Sequence, residues 1–194
     1  MTAQTQQDII VAGVGGQGIL TICSIIGGAA FAKGLRVKQS EVHGMAVRGG
    51  SVVSHLRLST QPITSDLIPL GSAHMILSME PMETLRYLPY ARRDAVLVTS
   101  RNSVHNIAGY PDEKVIEARL KEWPHHVILD AEKLARQAGT VRSVNSVILG
   151  AASAFLMVPE ADMRVFVEQF FERKGRDIVD KNLAAFDMGR VVAG

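Results

Sequence analysis

The chain has 194 residues, of which 47% are hydrophobic, 5% aromatic and 21% charged, and its formal net charge is +2. This length allows a sizeable core and favours one domain, and the composition is typical of a compact α/β protein rather than a disordered chain or a fibre. The small net charge, without an arginine-rich run, argues against a nucleic-acid partner.

Cysteine usage and hydropathy exclude further classes. Cys23 is the only cysteine, so it cannot form an internal disulfide or hold an iron–sulfur cluster, which normally takes four thiolates. The N-terminal sequence MTAQTQQ lacks the regions of a signal peptide, and the nearly apolar run 147–158 is shorter than the ~20 residues that span a bilayer. No histidines have metal-binding spacing. We therefore expect a cytoplasmic protein without a membrane segment or a metal site.

The first third of the chain predicts a strand, a helix and two more strands. Residues 8–14 are an apolar, β-branched run bounded by glycine, and 18–33 have a helical pattern that Gly34 ends. Residues 35–40 can form the second strand. Residues 51–59 alternate as in a half-exposed strand, which we expect near a sheet edge or in an antiparallel pair.

The rest of the chain continues the alternation and then becomes helical. Further strands are predicted at 73–78, 95–99 and 127–130, with helices at 81–87 and 112–123. The predicted C-terminal helices are 132–138, 144–157, 159–173 and 178–192. We therefore predict a single α/β domain over 1–194. Its fold is Rossmann-like and layered, with helices flanking a mostly parallel or mixed sheet and a helical C-terminal third.

A glycine-rich turn follows the first predicted strand. Gly13, Gly15 and Gly18 fit the pattern G-x-G-x-x-G, with Gly16 and Gln17 between them. Glycines let the backbone approach a ligand closely, and the amides of the first helical turn can point at an anion. Three alternatives remain open: a dinucleotide (NAD or FAD), another phosphate-bearing ligand, or a structural tight turn.

A second cluster lies at 41–50, a segment that we expect to be a loop between two strands. Glu41 lies about as far downstream as the acid that binds ribose in dinucleotide folds. An arginine beside glycines, Arg48 with Gly49 and Gly50, suits anion recognition. His43 can transfer protons, since imidazole titrates near neutrality. The structural alternative is that Glu41, His43 and Arg48 form a buried polar network.

The sequence resembles a known family in these two clusters. GVGGQGILT, followed by SEVHGMAVRGGSVVSHLRL, resembles the gamma-type domain of the 2-oxoacid:ferredoxin oxidoreductases, and the HGMA-x-RGG-x-V-x-SH form is most similar to the indolepyruvate type. Asn145, the LGA at 149–151 and the tail DKNLAAFDMGR also match. Val47 departs from the family, which more often has glutamine there.

The resemblance implies a subunit that is inactive alone. Such enzymes oxidatively decarboxylate a 2-oxoacid on thiamine diphosphate, reduce ferredoxin through iron–sulfur clusters and transfer the acyl group to coenzyme A. It implies that thiamine diphosphate and the clusters lie on a large alpha subunit, while this chain covers the active site and helps to bind coenzyme A. The expected cofactor-binding residues are Gly13, Gly15, Gly16, Gln17, Gly18, Arg48, Gly49 and Gly50, and the candidate catalytic residues are Glu41 and His43.

Three rival functions remain open at this point. The chain could be a free-standing NAD- or FAD-binding oxidoreductase, as the glycine turn and Glu41 suggest. It could be the gamma subunit of a pyruvate or oxoglutarate enzyme. A non-catalytic assembly or regulatory module on the same fold is the third.

Overall fold

The computed structural model describes residues 5–43 and 49–194. These residues form one six-stranded sheet in the order β2-β3-β1-β4-β5-β6. The strands are β1 (Gln6–Val14), β2 (Arg36–His43), β3 (Ser51–Ser59), β4 (Ala73–Ser78), β5 (Ala91–Ser100) and β6 (His126–Leu129). β3 is antiparallel to both of its neighbours, whereas β1, β4, β5 and β6 run parallel. The sheet is therefore mixed, as the sequence predicts.

Seven helices in the described part of the chain flank the sheet: α1 (Ile19–Ala32), α2 (Pro81–Tyr87), α3 (Glu113–Lys121), α4 (Ala131–Gln137), α5 (Val144–Ser153), α6 (Glu160–Phe171) and α7 (Arg176–Ala193). None of them is both long and apolar enough to cross a lipid bilayer. The last four helices confirm the predicted helical C-terminal third.

The alternation of side chains along the strands creates two hydrophobic cores. Ile9 and Val11 of β1 lie in the core formed with α1 and α4–α7, whereas Ile10 and Ala12 lie in the core formed with α2 and α3. A strand whose successive side chains face opposite helical layers must be apolar throughout, which explains the continuous apolar run of β1. The layered α/β prediction is confirmed.

The predicted half-exposed character of β3 is wrong, although its antiparallel pairing is confirmed. His55 is 5% exposed and Ser54 is fully buried. The strand lies between β1 and β2, and its polar side chains are paired rather than solvated. Arg57 makes a bidentate ion pair with Asp8 of β1, at 2.8 Å through Nε and 3.0 Å through a terminal nitrogen. Alternation indicates solvent exposure only when the polar side chains lack partners inside the protein.

The second strand is longer than predicted. β2 continues beyond residue 40 to His43, pairing Glu41 with Ser54 and His43 with Val52 of β3. The expectation of a loop over 41–50 is therefore wrong for 41–43. Polar residues are compatible with this strand because β2 is an outer strand of the sheet, where side chains reach solvent.

Two buried or partly buried histidines serve as hydrogen-bond acceptors for backbone amides. The Nδ1 atom of His55 accepts from the Ile68 amide at 3.1 Å, and Nδ1 of His74 accepts from the Asp8 amide at 3.1 Å. Burial lowers the pKa of both rings, and the charge of Arg57 for His55 and of Arg92 for His74 adds to the effect. Both rings therefore function in the neutral form.

Helices α5 and α7 touch backbone to backbone through two glycines. A Cβ atom on Gly150 would lie 1.9 Å from the Phe186 carbonyl oxygen, and one on Gly189 would lie 1.9 Å from the Val147 carbonyl oxygen. Ser146 links the same helices by donating to Asn182 Oδ1 at 2.7 Å. Gly150 lies in the family-like LGA segment, and Asn182, Phe186 and Gly189 lie in the family-like C-terminal tail, so these two segments meet in one helix–helix contact.

Replacing either contact glycine with alanine should destabilise the fold. We expect Gly150→Ala and Gly189→Ala each to lower the free energy of unfolding by about 2–3 kcal/mol, because the clashing atoms belong to rigid helix backbone. Gly27→Ala in α1 is the matched control: its Cβ would meet only Val37 Cγ1 at 3.4 Å, so alanine should stabilise the helix by about 0.5–1 kcal/mol. Urea unfolding measures all three, and equal effects at the three positions would contradict the contact.

The neutral histidines should make stability depend on pH. Because the folded-state pKa values lie below the ordinary value of about 6.5, the unfolded state binds more protons once the pH falls below that value. The free energy of unfolding should therefore fall on acidification. His55→Asn and His74→Asn keep an acceptor that does not titrate, so each should flatten this dependence, whereas His125→Asn at an exposed position should not. Urea midpoints measured between about pH 7.5 and pH 5.5 decide it, and parallel pH profiles for all variants would contradict the assignment.

Candidate functional site

The candidate site lies at the carboxyl edge of the sheet, between β1 and β4. β1 leads into α1 on one face of the sheet, and β4 leads into α2 on the other. Open α/β sheets bind ligands at such a switch point, because the two connections diverge and leave a crevice. The turn after β1 and the turn after β4 form its floor, where the Met79 amide donates to the Ala12 carbonyl at 3.0 Å.

The glycine turn is shaped by its own glutamine. Gln17 Oε1 accepts from the Val14 amide at 2.7 Å, and Gln17 Nε2 donates to the Met79 carbonyl at 3.4 Å. A Cβ on Gly13 would lie 2.7 Å from Gln17 Oε1, so the glycine leaves room for this brace. Both polar atoms of Gln17 are thus engaged inside the fold, and the ligand contact expected of Gln17 stays a prediction.

The start of α1 offers amide groups to an incoming group. Gly18 is its N-cap in the left-handed region (φ 84°), which favours glycine. The first amides of any α-helix have no acceptor within the helix, so those of Ile19 and Leu20 can meet an anion. A Cβ on Gly18 would lie 2.9 Å from Asn145 Nδ2. Because Gly18 has no side chain, the side-chain amide of Asn145 in α5 can lie beside the start of α1. Among the described residues Asn145 Nδ2 has no acceptor.

The two family-like motifs meet at this edge. The Gly15 amide donates to the Gly50 carbonyl at 2.8 Å, which joins the glycine turn to the segment before β3. Gly49 has a φ of 79°, another left-handed position suited to glycine. Because its amide is used in this bond, Gly15 does not offer it to a ligand. Arg48 and Val47 lie outside the described residues, so their predicted contributions stay predictions.

Glu41 and His43 lie together at the carboxyl end of β2. His43 Nδ1 is 3.1 Å from Glu41 Oε1, and the side chains are 68% and 22% exposed, respectively. Both lie on the face of the sheet that α1 covers, since their β3 partners Ser54 and Val52 face that layer. The pair is partly solvated in this chain rather than part of a closed polar network.

The strand order argues against the dinucleotide interpretation of Glu41. In a dinucleotide-binding fold the strand carrying the ribose-binding acid lies directly beside the first strand. Here β3 separates β2 from β1, which moves Glu41 about 10 Å away, twice the usual strand spacing. The sequence spacing matches that motif, but the topology does not.

A buried carboxylate after β4 is a feature that the sequence analysis missed. Glu80 is 1% exposed and caps α2 by accepting from the Glu83 amide at 2.8 Å. Its other oxygen accepts from the Tyr110 hydroxyl and, at 3.4 Å, from the Val104 amide. Burial and the bond to Glu80 raise the pKa of Tyr110, so this hydroxyl remains a donor. The signal was an acid between a buried strand and Pro81, a typical N-cap pattern.

A second buried acid links α2 to the start of β3. Glu83 is 4% exposed and accepts from the Ser51 hydroxyl at 2.5 Å. The Ser51 hydroxyl is also 3.3 Å from that of Tyr87. Ser51 follows Gly50 directly, so these contacts fix β3 immediately beside the bond between the two motifs.

Cys23 belongs to the core rather than to the site's chemistry. It is fully buried in α1, and burial raises the pKa of its thiol to about 12. A hydrogen bond with Ser54 lowers this pKa, but the effect of burial is larger. A protonated, inaccessible thiol is a poor nucleophile. In the described residues no three His, Cys, Asp or Glu side chains form a group that could hold a metal ion.

Comparisons with known proteins agree with this architecture. Residues 8–192 match the family described as Pyruvate ferredoxin/flavodoxin oxidoreductase. The chain is 35% identical over 192 residues to "Indolepyruvate oxidoreductase subunit IorB" of Pyrococcus horikoshii, covering 95% of this chain and 94% of that protein. It is also 35% identical over 189 residues to the subunit of the same name in Archaeoglobus fulgidus, covering 94% and 92%.

A solved structure shares the fold. The chain superimposes with a TM-score of 0.79 and 22% identity on a 2-oxoglutarate:ferredoxin oxidoreductase of Magnetococcus marinus, whose structure contains 2-oxoglutarate, coenzyme A and succinyl-CoA. That superposition covers 98% of this chain but only 31% of the longer one. The family match over 8–192, with 35% identity along nearly the whole length of two relatives, shows that this chain belongs to the pyruvate ferredoxin/flavodoxin oxidoreductase family.

Proposed function

We propose that the chain is the small subunit of an indolepyruvate-type 2-oxoacid:ferredoxin oxidoreductase. In the proposed reaction the oxoacid loses carbon dioxide, two electrons pass to two ferredoxins, and the acyl group is transferred to coenzyme A. A large partner subunit carries thiamine diphosphate and the iron–sulfur clusters. This chain covers the active site and helps to bind coenzyme A, and it has no turnover alone.

One observation carries the location of the proposed site. The 2.8 Å bond from the Gly15 amide to the Gly50 carbonyl joins the two motifs by which the chain resembles its family, at the edge where α/β sheets bind ligands. The 35% identity to subunits named for indolepyruvate supports that type of oxoacid enzyme. The selection of the oxoacid side chain is assigned to the partner.

The chemistry of this chain supports the proposed distribution of cofactors. Its single cysteine is buried and protonated, so it does not fit an iron–sulfur cluster. The edge does fit an anionic group: the first amides of α1, the Asn145 amide and, on this proposal, the Arg48 guanidinium would hold a phosphate of coenzyme A. Bound there, coenzyme A supplies the thiol that receives the acyl group. This chain's own task is to orient it and exclude water.

The exposed Glu41–His43 pair supports a role at the interface with the partner. A pair that is partly solvated in the free chain becomes buried when a partner covers it, and a lower dielectric then strengthens its contacts. Glu41 and His43 are thus candidates for orienting reacting groups or docking the partner.

Removing the Arg48 charge should weaken coenzyme A binding. In the reconstituted complex we expect Arg48→Ala to raise the KM for coenzyme A roughly ten- to a hundredfold, since a charge-assisted contact contributes about 1.5–3 kcal/mol. Arg93→Ala is the control, because Arg93 is exposed near the start of β5, at the amino edge of the sheet and therefore away from the candidate site at the carboxyl edge. Steady-state assays with varied coenzyme A measure the effect. An unchanged KM and rate would assign Arg48 to structure instead.

Removing Glu41 or His43 should affect the complex more than the free chain. A partly exposed side-chain contact contributes at most about 1 kcal/mol, so Glu41→Ala and His43→Ala should each lower the Tm of the free chain by no more than about 2–4 °C. The same variants should weaken assembly with the large subunit or oxoacid-dependent ferredoxin reduction several-fold.

Asp94→Ala provides the matched control for that experiment. Arg92 and Asp94 form another exposed pair two residues apart on a strand, at the amino edge of the sheet. This variant should change neither assembly nor activity. A large loss of Tm for the Glu41 or His43 variants, with normal activity after assembly, would identify these residues as structural.

A further inference from the structure

The loop between β5 and α3 reaches two other connections at the carboxyl edge. This segment, residues 101–112, is here called the β5–α3 loop. Its Asn106 side chain donates to the Gly49 carbonyl at 2.5 Å, and its Tyr110 hydroxyl donates to Glu80. Gly49 precedes β3, which is three positions from β5 in the sheet. At the usual strand spacing the loop therefore bridges about 14 Å and passes over the ends of β4 and β1.

The loop is held by contacts at both ends. At its start the Ser100 hydroxyl donates to Asn102 at 2.7 Å, and Asn102 donates to Asp130 at 3.1 Å. Within the loop the Tyr110 ring stacks on His105, with centroids 4.5 Å apart and planes at 25°. The buried Glu80 carboxylate needs donors, because in the described chain it has no cation partner. Tyr110 and the Val104 amide supply them, so the loop is anchored to the buried end of β4.

We infer that Asn106 and Tyr110 are positioning residues that hold Gly49 and Gly50 against the glycine turn. Tyr110 fixes the loop on Glu80, Asn106 passes that constraint to the Gly49 carbonyl, and Gly50 accepts from Gly15. The residue before Gly49 is Arg48, which the proposed function assigns to coenzyme A. These three hydrogen bonds, from Tyr110 to Glu80, from Asn106 to Gly49 and from Gly15 to Gly50, are here called the contact series. The functional consequence of this inference rests on the proposed function, but the contact series does not.

The series predicts a specific kinetic effect in the assembled enzyme. Neither Asn106 nor Tyr110 is placed against reacting atoms, so their loss should weaken binding without slowing the chemical step. A higher KM for coenzyme A with nearly unchanged kcat is the expected pattern. A residue that only stabilises the fold would lower the Tm and leave the KM of the surviving enzyme unchanged.

Two variants break this series of contacts at different points, and a third variant is the control. Asn106→Ala removes the donor to Gly49, and Tyr110→Phe removes the hydroxyl while keeping the stack on His105. Ile107→Ala changes an exposed side chain of the same loop, 47% accessible, and should have no effect.

Amide hydrogen exchange at Gly15, resolved by NMR in the free full-length chain, tests the contacts without reference to activity. Asn106→Ala should accelerate Gly15 exchange roughly three- to tenfold, the range expected for one weakened hydrogen bond, while Ile9 and Val11 in β1 stay unchanged. Tyr110→Phe should give a smaller acceleration. In the reconstituted complex both variants should raise the KM for coenzyme A at least threefold with kcat within twofold.

The outcomes separate this inference from the proposed function. Unchanged Gly15 exchange in both variants overturns it, whatever the chain's function. Accelerated exchange with an unchanged KM also overturns the positioning role if Arg48→Ala does raise the KM. If exchange accelerates and neither Arg48→Ala nor Asn106→Ala changes the KM, the contact series stands and the proposed function fails.

Discussion

The antiparallel insertion of β3 between β1 and β2 is the constraint on which the site depends. Because β3 runs against β1, its first residue lies opposite the last residue of β1, with Ser51 paired to Val14. The glycine turn after β1 and the segment before β3 must therefore meet at the same edge. In a dinucleotide-binding fold the strand in the place of β3 runs parallel to β1, so it brings its carboxyl end and the ribose-binding acid to this edge instead of its amino end. This strand order thus brings the glycine turn and the segment before β3 together in one candidate site.

The insertion places polar residues of β3 inside the protein, and paired groups compensate. Arg57 pairs with Asp8, His55 accepts the Ile68 amide, and Ser51 donates to Glu83. A buried polar group without a partner costs free energy, so each of these side chains contacts a neighbouring segment: Arg57 contacts β1, His55 contacts the segment before β4, and Ser51 contacts α2. Helices α5 and α7 are held together by the close backbone approach at Gly150 and Gly189 and by the hydrogen bond from Ser146 to Asn182.

Local pattern was enough to predict the elements but not their arrangement. Every predicted helix and strand exists, because apolar periodicity and glycine or proline boundaries are properties of neighbouring residues. The exposure of β3 and the end of β2 were mispredicted, because each depends on a partner distant in sequence. Judged from its neighbours in sequence, Arg57 is expected at the surface. Its ion pair with Asp8 becomes evident only from the pairing of β1 with β3. Glu80 carried a readable cap signal, but its bond to Tyr110, thirty residues later, has no local signature.

The edge combines a rigid inner part with a solvated outer part, and that difference indicates where a partner would act. The Gly15 amide, both polar atoms of Gln17 and the Glu80 carboxylate are already engaged within the fold. They therefore shape the candidate site from within the fold. Among the described residues, the candidate groups for recognition are the first amides of α1, Asn145 and the partly exposed Glu41–His43 pair. The side chains of His43 and Glu41 are 68% and 22% exposed, so water competes for this pair. On the proposed function, the surface of the large subunit would cover this pair and remove that competition without rearranging the inner part.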